Sequence, residues 1–430
     1  MNWKTEIGIR ALGEAHYDVY ILMAQRVLRM AAYGITTLIL ALFFEQLGVS
    51  EAGIGYFMTL TLIGDVVLSY IVTFYADMMG RRHVLMWSCL AMAVSGAIFA
   101  ISSNYWILLA AAVIGVISPS GDETGPFKSV EESTLAHLTT YDDRSDIFAW
   151  YGVMGTAGSA LGSLGGGFVI DYLQNHMTKL EAYRWVFWIY TILSVLKFLL
   201  NCCLSSKCEE NNTADDEREA LIQRRHSEGE EDNHKTYGGL SKETLKTVTK
   251  LCILFGIDSI GGGFMPNSWV VVYFSRKFGI AERELGSILF STTLVGSFSV
   301  ILSSSVYKRC GPIWAMVLTH LPAAIAQILI PIPGQLPPAI VFLLIRAATT
   351  VMDVVPRQVF LASVVKPDER TKVMGIVNVV KTLARSIGPT FTGHLAQVGL
   401  LWLAFVIGGG LETVHDFGLL AFFSHLRHVR

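Results

Sequence analysis

The sequence predicts an all-α integral membrane protein: twelve transmembrane helices in two six-helix bundles related by pseudo-symmetry. Three observations lead there. Of the 430 residues 52% are hydrophobic and 16% charged, against about 25% charged in an average soluble domain. The apolar residues fall in long runs, and a bilayer core about 30 Å thick takes about 20 mostly apolar residues per helix. One charged stretch, residues 205–247, divides the runs six and six and holds eleven acids and seven bases. The hydrophobicity excludes a disordered chain. The net charge of -2 excludes a basic nucleic-acid binder, and the runs are too long for the core helices of a soluble globular enzyme.

In order, the predicted spans are 19–44, 54–76, 83–102, 106–128, 146–171, 184–205, 248–275, 285–307, 312–331, 339–362, 372–397 and 400–424. Met1 to Asp18 is polar and lacks a signal-peptide pattern, so targeting rests on the first span. Span one carries Arg26 and Arg29, three apart and so on one face. Span two has Asp65 near its centre. A carboxylate there must pair or take a proton, and Arg29 is a candidate partner. Span four is interrupted by Ser118-Pro119-Ser120-Gly121-Asp122-Glu123-Thr124-Gly125-Pro126. Broken backbone at membrane depth is tolerated only against protein or a water-filled cavity, and such breaks mark binding sites in transporters. Glu123 and Glu131 are eight apart, roughly on one face. Alternatively, span four ends near Ser118 and an interfacial loop follows.

The second set repeats these features. Span seven has Asp258 ahead of Gly261-Gly262-Gly263 and Pro266-Asn267. Span ten places Arg346, Asp353 and Arg357 on one stripe beside Pro356, although Asp353 and Arg357 can equally bridge each other at i,i+4. Span eleven sets Asn378, Lys381 and Arg385 on one face. Lys197, near the end of span six, is expected to snorkel.

Several positions recur at a near-constant offset. Gly80 and Gly311 are 231 apart, Pro126 and Pro356 230, Arg144 and Arg370 226, and Gly162 and Gly388 226. Equal topology in both halves indicates parallel repeats about an axis along the membrane normal. The division is therefore an N-terminal bundle 1–204, a flexible linker 205–247 and a C-terminal bundle 248–430. An even number of spans puts both termini on one side. Arg81, Arg82, Arg144, Lys308, Arg309, Lys366, Arg370, Lys372, Arg427 and Arg430 fall on that side, which the positive-inside rule reads as cytoplasmic. The six cysteines avoid the predicted external loops, so no disulfides are expected. Cys202, Cys203 and Cys208 stand at a helix end where palmitoylation is possible chemistry. The linker holds a sequon at Asn211, expected to stay bare, and Arg224-Arg225-His226-Ser227, which suits a basophilic kinase or is a solvated charge cluster.

The run Thr73-Phe-Tyr-Ala-Asp77-Met-Met-Gly80-Arg81-Arg82-His-Val-Leu85 resembles the signature loop of the major facilitator superfamily, with Thr73 in place of the first glycine. The second-half copy, Tyr307-Lys308-Arg309-Cys310-Gly311, keeps the bases and the glycine without the acid. With the spans, linker and repeat, the resemblance covers nearly the whole chain and implies the major facilitator fold. It implies a cytoplasmic gate at Asp77, Gly80, Arg81 and Arg82, where Asp77 accepts from a helix start and the arginines meet carboxylates; plain positive-inside anchoring would explain the arginines alone. Gly158-x-x-x-Gly162-Ser163-x-x-Gly166-Gly167 resembles the family's antiporter motif without its proline, and close packing of small residues accounts for it equally. The resemblance further implies that spans one, four, seven and ten line a central cavity, and that span twelve, with Glu412, His415 and Asp416, is peripheral.

The leading function is secondary active transport of a small polar or charged solute by alternating access, with a proton as coupling ion. Arg26, Arg29, Asp65, Glu123, Glu131, Asp258, Asp353, Arg357 and Arg385 are the candidate binding or coupling residues. The acids can carry protons, and the arginines can bind an anionic group, because a cation attracts strongly in low dielectric. The alternative is a non-transporting receptor or sensor on the same fold that signals through the linker. No Walker loop points to ATP, no spacing points to a metal site or enzymatic nucleophile, and no cofactor is implied. The expected partners are the solute, the proton and the lipid bilayer, the chain acting as a monomer.

Overall fold

The computed structural model describes residues 9–120, 126–209, 241–365 and 369–423. Glu123, Asn211 and the Arg224–Ser227 cluster lie outside these residues. Among the described residues the regular structure is entirely helical. The N-terminal half contains α1 (Ile9–Glu14), α2 (Tyr17–Gln46), α3 (Glu51–Met79), α4 (Arg81–Ile101), α5 (Tyr105–Gly115), α6 (Pro126–Leu138), α7 (Tyr141–Gln174) and α8 (Lys179–Cys202). The C-terminal half contains α9 (Lys242–Phe264), α10 (Asn267–Phe278), α11 (Glu282–Cys310), α12 (Pro312–Leu329), α13 (Leu336–Thr350), α14 (Val354–Val364), α15 (Arg370–Gln397) and α16 (Leu401–Phe423). Nine helical stretches among the described residues are long and apolar enough to cross a membrane. α11 and α15, at 29 and 28 residues, have the length to do so too.

Local chemistry sets the helix ends. Asn104 caps α5 by accepting from the backbone of Trp106 and Ile107, and Thr178 with Glu181 forms a capping box on α8. Ser241 caps α9, so this helix starts six residues before the apolar run that predicts span seven. Gly80 and Gly311 have φ of 84° and 76°, values that favour glycine, at the same turn of the two repeats.

The helices are broken where the sequence carries breakers. α5 stops at Gly115, Val116 takes a left-handed φ of 52°, and the next described helix begins at Pro126. α9 gives way to α10 at Met265 and Pro266. α13 and α14 are joined by a short 3-10 turn, Val351–Asp353, ahead of Pro356. Pro356 has no N–H to offer the carbonyl of Met352, and the Ser303 hydroxyl bonds that carbonyl instead.

Packing repeats between the halves. α2 lies against α7 and α8, and α9 lies against α15 and α16 in the same manner. A Cβ on Gly162 would stand 2.1 Å from the Ala31 carbonyl, and one on Gly388 would stand 2.1 Å from the Gly263 backbone. These are the matching close crossings of the two bundles. The halves meet where α3 packs on α15 and α7 on α11. Here too the crossings match: Gly55 abuts Gly393 at 2.9 Å, and Gly167 abuts Gly286 at 3.2 Å, measured from a Cβ built on the second of each pair. Outward faces carry large apolar side chains, Trp87, Trp106, Phe298 and Phe391 among them, as a lipid-facing surface requires.

Candidate functional site

Cross-half bonds gather at the end of the molecule remote from the chain termini. Arg276, at the end of α10, bonds Glu45 at 2.6 Å and Glu51 at 2.9 Å. Glu282 accepts from Tyr183 at 2.6 Å and pairs with Lys179 at 2.7 Å. One layer deeper, Ser268 donates to the Pro119 carbonyl at 2.7 Å and Asn267 to the Ser120 carbonyl at 3.0 Å. The break in span four thus supplies carbonyls that the break in span seven satisfies.

On the termini side of this layer lies a cavity of about 530 Å³ bounded by both halves. α2, α6 and α7 contribute Arg26, Lys128, Thr156 and Ser159, and α9, α11, α13 and α15 contribute Gly262, Thr293, Arg346 and Arg385, among others. Its described lining holds four cations and no acid. Arg26 lies across the Tyr151 ring at 4.1 Å, and Arg346 Nε donates to buried Gln327 at 2.6 Å.

The predicted acids among the described residues lie elsewhere. Asp65, Glu131, Asp258 and Asp353 are all buried, and none of them is in the cavity lining. In the N-terminal half Arg29 forks Glu131 through both guanidinium nitrogens, at 2.7 and 2.6 Å. Tyr151 donates to the same carboxylate at 2.6 Å, and Lys197 Nζ stands 3.4 Å away. Lys197 therefore does not snorkel: it is fully buried because Glu131 offers it a counter-charge inside the bundle. In the C-terminal half Arg357 pairs with Asp258 at 3.0 Å and with Asp353 one turn back. His320 sits between two carboxylates, Nε2 at 3.4 Å from Asp258 and Nδ1 at 3.0 Å from Asp416. His415 Nδ1 is 3.2 Å from Asp416.

The two clusters occupy equivalent places with inverted charge. Asp258 follows Arg29 by 229 residues, and Arg357 follows Glu131 by 226, the offset of the repeat. Each half thus ties its first and fourth spans through one cation and one anion, with the signs exchanged.

Span twelve is not peripheral. His415 and Asp416 are buried and face Asp258 and His320, because α16 packs against α9 and α12. Asp258, His320 and His415 place ligand atoms within 4.8 Å of one another, a convergence no sequence spacing could show. Arg357 already neutralises Asp258 and Asp416 holds His320, so a proton suits this cluster better than a metal ion.

Of the implied gate, Gly80 caps α4, and Arg82 donates to the Cys202 carbonyl at 3.0 Å within its own half, where a carboxylate was expected. Arg81 opens α4; the side chain of Asp77 lies outside the described residues. Gly158, Gly162 and Gly166 press on Val27, Ala31 and Ile35, so this run packs α7 onto α2. Sequence reasoning missed His320, Lys128 and Gln327. Only the offset of 231 from Cys89, itself buried between α4 and α8, could have directed attention to His320.

Comparison with known proteins supplies a frame for this geometry. A family profile described as Major Facilitator Superfamily matches residues 22–389. The uncharacterized membrane protein YJR124C of Saccharomyces cerevisiae is 41% identical over 427 residues, covering 95% of this chain and 94% of its own. Among solved structures, a D-xylose-proton symporter superposes with a TM-score of 0.73 at 14% identity, over 95% of this chain and 98% of that one. The nucleoside transporter NupG gives 0.68 at 14% identity, over 94% and 98%.

Proposed function

This chain belongs to the major facilitator superfamily, a family of membrane transport proteins, and from that premise we propose that it is a secondary active transporter. It moves a small polar or charged solute by alternating access, driven by protons. The observation that carries the reading is the cavity: both halves wall it, and cross-half bonds seal the end remote from the termini. Two six-span bundles, 1–204 and 248–430, rock about it, joined by the 205–247 linker. The termini and linker lie on the cytoplasmic side, by the distribution of Lys and Arg. The cavity then opens to the cytoplasm, with the gate at Asp77, Gly80, Arg81 and Arg82 released.

Proton coupling is assigned to the C-terminal cluster. A histidine between two carboxylates takes up a proton with little rearrangement, and Arg357 competes for Asp258 when it does. The N-terminal cluster holds Glu131 between Arg29 and Lys197 and serves as a fixed strut. The test is solute uptake into proteoliposomes with and without an imposed pH gradient. Wild type should accumulate solute against its gradient. His320→Asn should still equilibrate solute down its gradient but lose the accumulation. Uptake indifferent to the pH gradient in wild type removes proton coupling, and absence of flux for every solute removes transport.

A further inference from the structure

Glu412 is a buried acid that neither ion-pair cluster uses. It is 6% exposed on α16, and among the described residues its carboxyl takes no hydrogen bond and no ion pair. Native structures leave few buried polar groups unsatisfied, and a buried carboxyl that does not pair must take a proton. Its surroundings place it between the cavity and the His320 cluster. On one side stands the glycine run of α9. A Cβ on Gly261 would meet the Gly408 carbonyl at 2.8 Å, and one on Gly263 the Arg385 carbonyl at 2.2 Å, so close packing demands both glycines. Gly262 is under no such demand: among the described residues a Cβ there would meet only Glu412 Oε1, at 3.8 Å. Gly262 lines the cavity, so at this position no side chain separates the cavity from the carboxyl. On the other side, His415 and Asp416 follow Glu412 by three and four residues and share its face. Asp416 in turn holds His320 at 3.0 Å. The charged groups that act on Glu412 are His320 of α12, Asp258 of α9, Arg346 of α13 and Asp416 of its own helix. α15 contributes Lys381, which acts on Asp258, and Arg385 on the cavity wall.

We propose that Glu412 is the proton relay between the cavity and the His320 cluster, reached from the cavity past the bare face of Gly262. The proposal rests on the proton-coupling reading and adds the route by which the proton arrives. Glu412 takes a proton from water in the cavity at a carboxylate oxygen. In the next step its O–H bond breaks and an N–H bond forms on His320, one helical turn away by way of Asp416. Glu412 is left ionised, and the imidazolium then donates to both Asp258 and Asp416. Like charges one turn apart on a helix repel, so ionised Glu412 and Asp416 favour a proton on the histidine between the carboxylates. The three glycines therefore divide their work: Gly261 and Gly263 let α9 pack closely, and Gly262 leaves the passage open.

The experiment uses the full chain in lipid nanodiscs and needs no solute. Protons are released from a photolysed caged acid, and time-resolved infrared difference spectra follow the carboxyl and imidazolium bands. Isotope-labelled histidine marks the imidazolium, and the band missing from His320→Asn is that of His320. In wild type the His320 band should rise as a carboxylic C=O band, absent from Glu412→Gln, decays. Glu412→Gln should slow the rise by about a hundredfold, the low end of what a positioned acid–base group contributes. Glu412→Asp, which keeps the carboxyl, should recover part of the rate. Gly262→Leu fills the passage and should slow the rise with Glu412 intact, at a thermal midpoint close to wild type because its Cβ meets no backbone. A rate unchanged in either Glu412→Gln or Gly262→Leu overturns the relay and leaves proton coupling at His320 standing. A wild-type His320 that takes no proton between about pH 8 and pH 5 overturns the coupling reading and the relay with it. The full relay signature in a chain that moves no solute sustains the relay and overturns transport.

Discussion

Glu131 is completely buried among Arg29, Lys197 and the Tyr151 hydroxyl, so its charge is neutralised by contacts from three other helices. Removing one partner of a buried ion pair typically costs about 3–5 kcal/mol, because the other charge is left uncompensated. Glu131→Gln leaves two buried cations facing each other and should lower the thermal midpoint of the purified protein markedly. Exchanging Arg29, Glu131 and Lys197 together for Met, which leaves no buried charge unpaired, should recover much of the loss. A midpoint unchanged by Glu131→Gln would show that the pair is not load-sharing. Cysteine chemistry is a second residue-scale expectation. Burial, reinforced by Asp18, pushes the Cys208 thiol up to about 12, whereas Cys202 and Cys203 are exposed. Maleimide at about pH 8 requires thiolate and access, so it should label Cys202 and Cys203 and spare Cys208 until the protein unfolds. Mass spectrometry of the labelled protein reads this directly. The sequence named Arg29 and Glu131 separately, since each is an expensive charge in an apolar run. Their pairing across 102 residues depends on how α2 and α6 cross, which residue spacing within one helix does not encode.

At the scale of elements, the glycines of α7 separate two roles. A Cβ on Gly162 meets the Ala31 carbonyl at 2.1 Å, while one on Gly165 meets nothing within 4 Å. Gly162→Val should therefore abolish or sharply reduce folded protein, because backbone cannot yield as a side-chain tip can. Gly165→Ala should be neutral or stabilising by up to about 1 kcal/mol, the helix-propensity difference. Fluorescence-detected gel filtration of both variants distinguishes packing from a coupling motif: a folded Gly162→Val protein with altered transport would contradict packing. Helix breaks were legible where proline and glycine clustered, at 116–120 and 265–266, because those residues disrupt helices wherever they stand; the 3-10 turn at 351–353, ahead of the single Pro356, was not. The place of α16 was not legible. Its Glu412, His415 and Asp416 look peripheral until α9 and α12 pack against it and bury them.

At the scale of the whole molecule, the repeat makes one bundle a copy of the other with its internal charges exchanged. Asp258 stands where Arg29 stands, and Arg357 where Glu131 stands. The duplication was readable from matched glycines, prolines and arginines, because turns and close crossings tolerate few residue types. The cavity wall was partly readable: Arg26, Arg346 and Arg385 were named and Lys128 was not, while Arg29 and Arg357 serve the internal clusters. The sealed end is held by part-exposed ion pairs of Arg276 with Glu45 and Glu51. Exposed pairs contribute about 0.2–1 kcal/mol each, enough to shift a two-state balance a few-fold. Arg276→Gln should accordingly raise the population open at that end.

The central claim is that the two halves rock about the cavity. Its most direct measurement is a pair of spin-label distance distributions in lipid nanodiscs. One pair spans the sealed end, Gln46→Cys with Ala281→Cys, and one spans the termini end, Lys207→Cys with Lys308→Cys, with exposed Cys202, Cys203 and Cys310 replaced by Ser. The account predicts two populations at each end that change in opposite senses with solute or pH, and a larger share open at the sealed end in Arg276→Gln. A single distribution at both ends, unmoved by solute, pH or Arg276→Gln, would contradict alternating access.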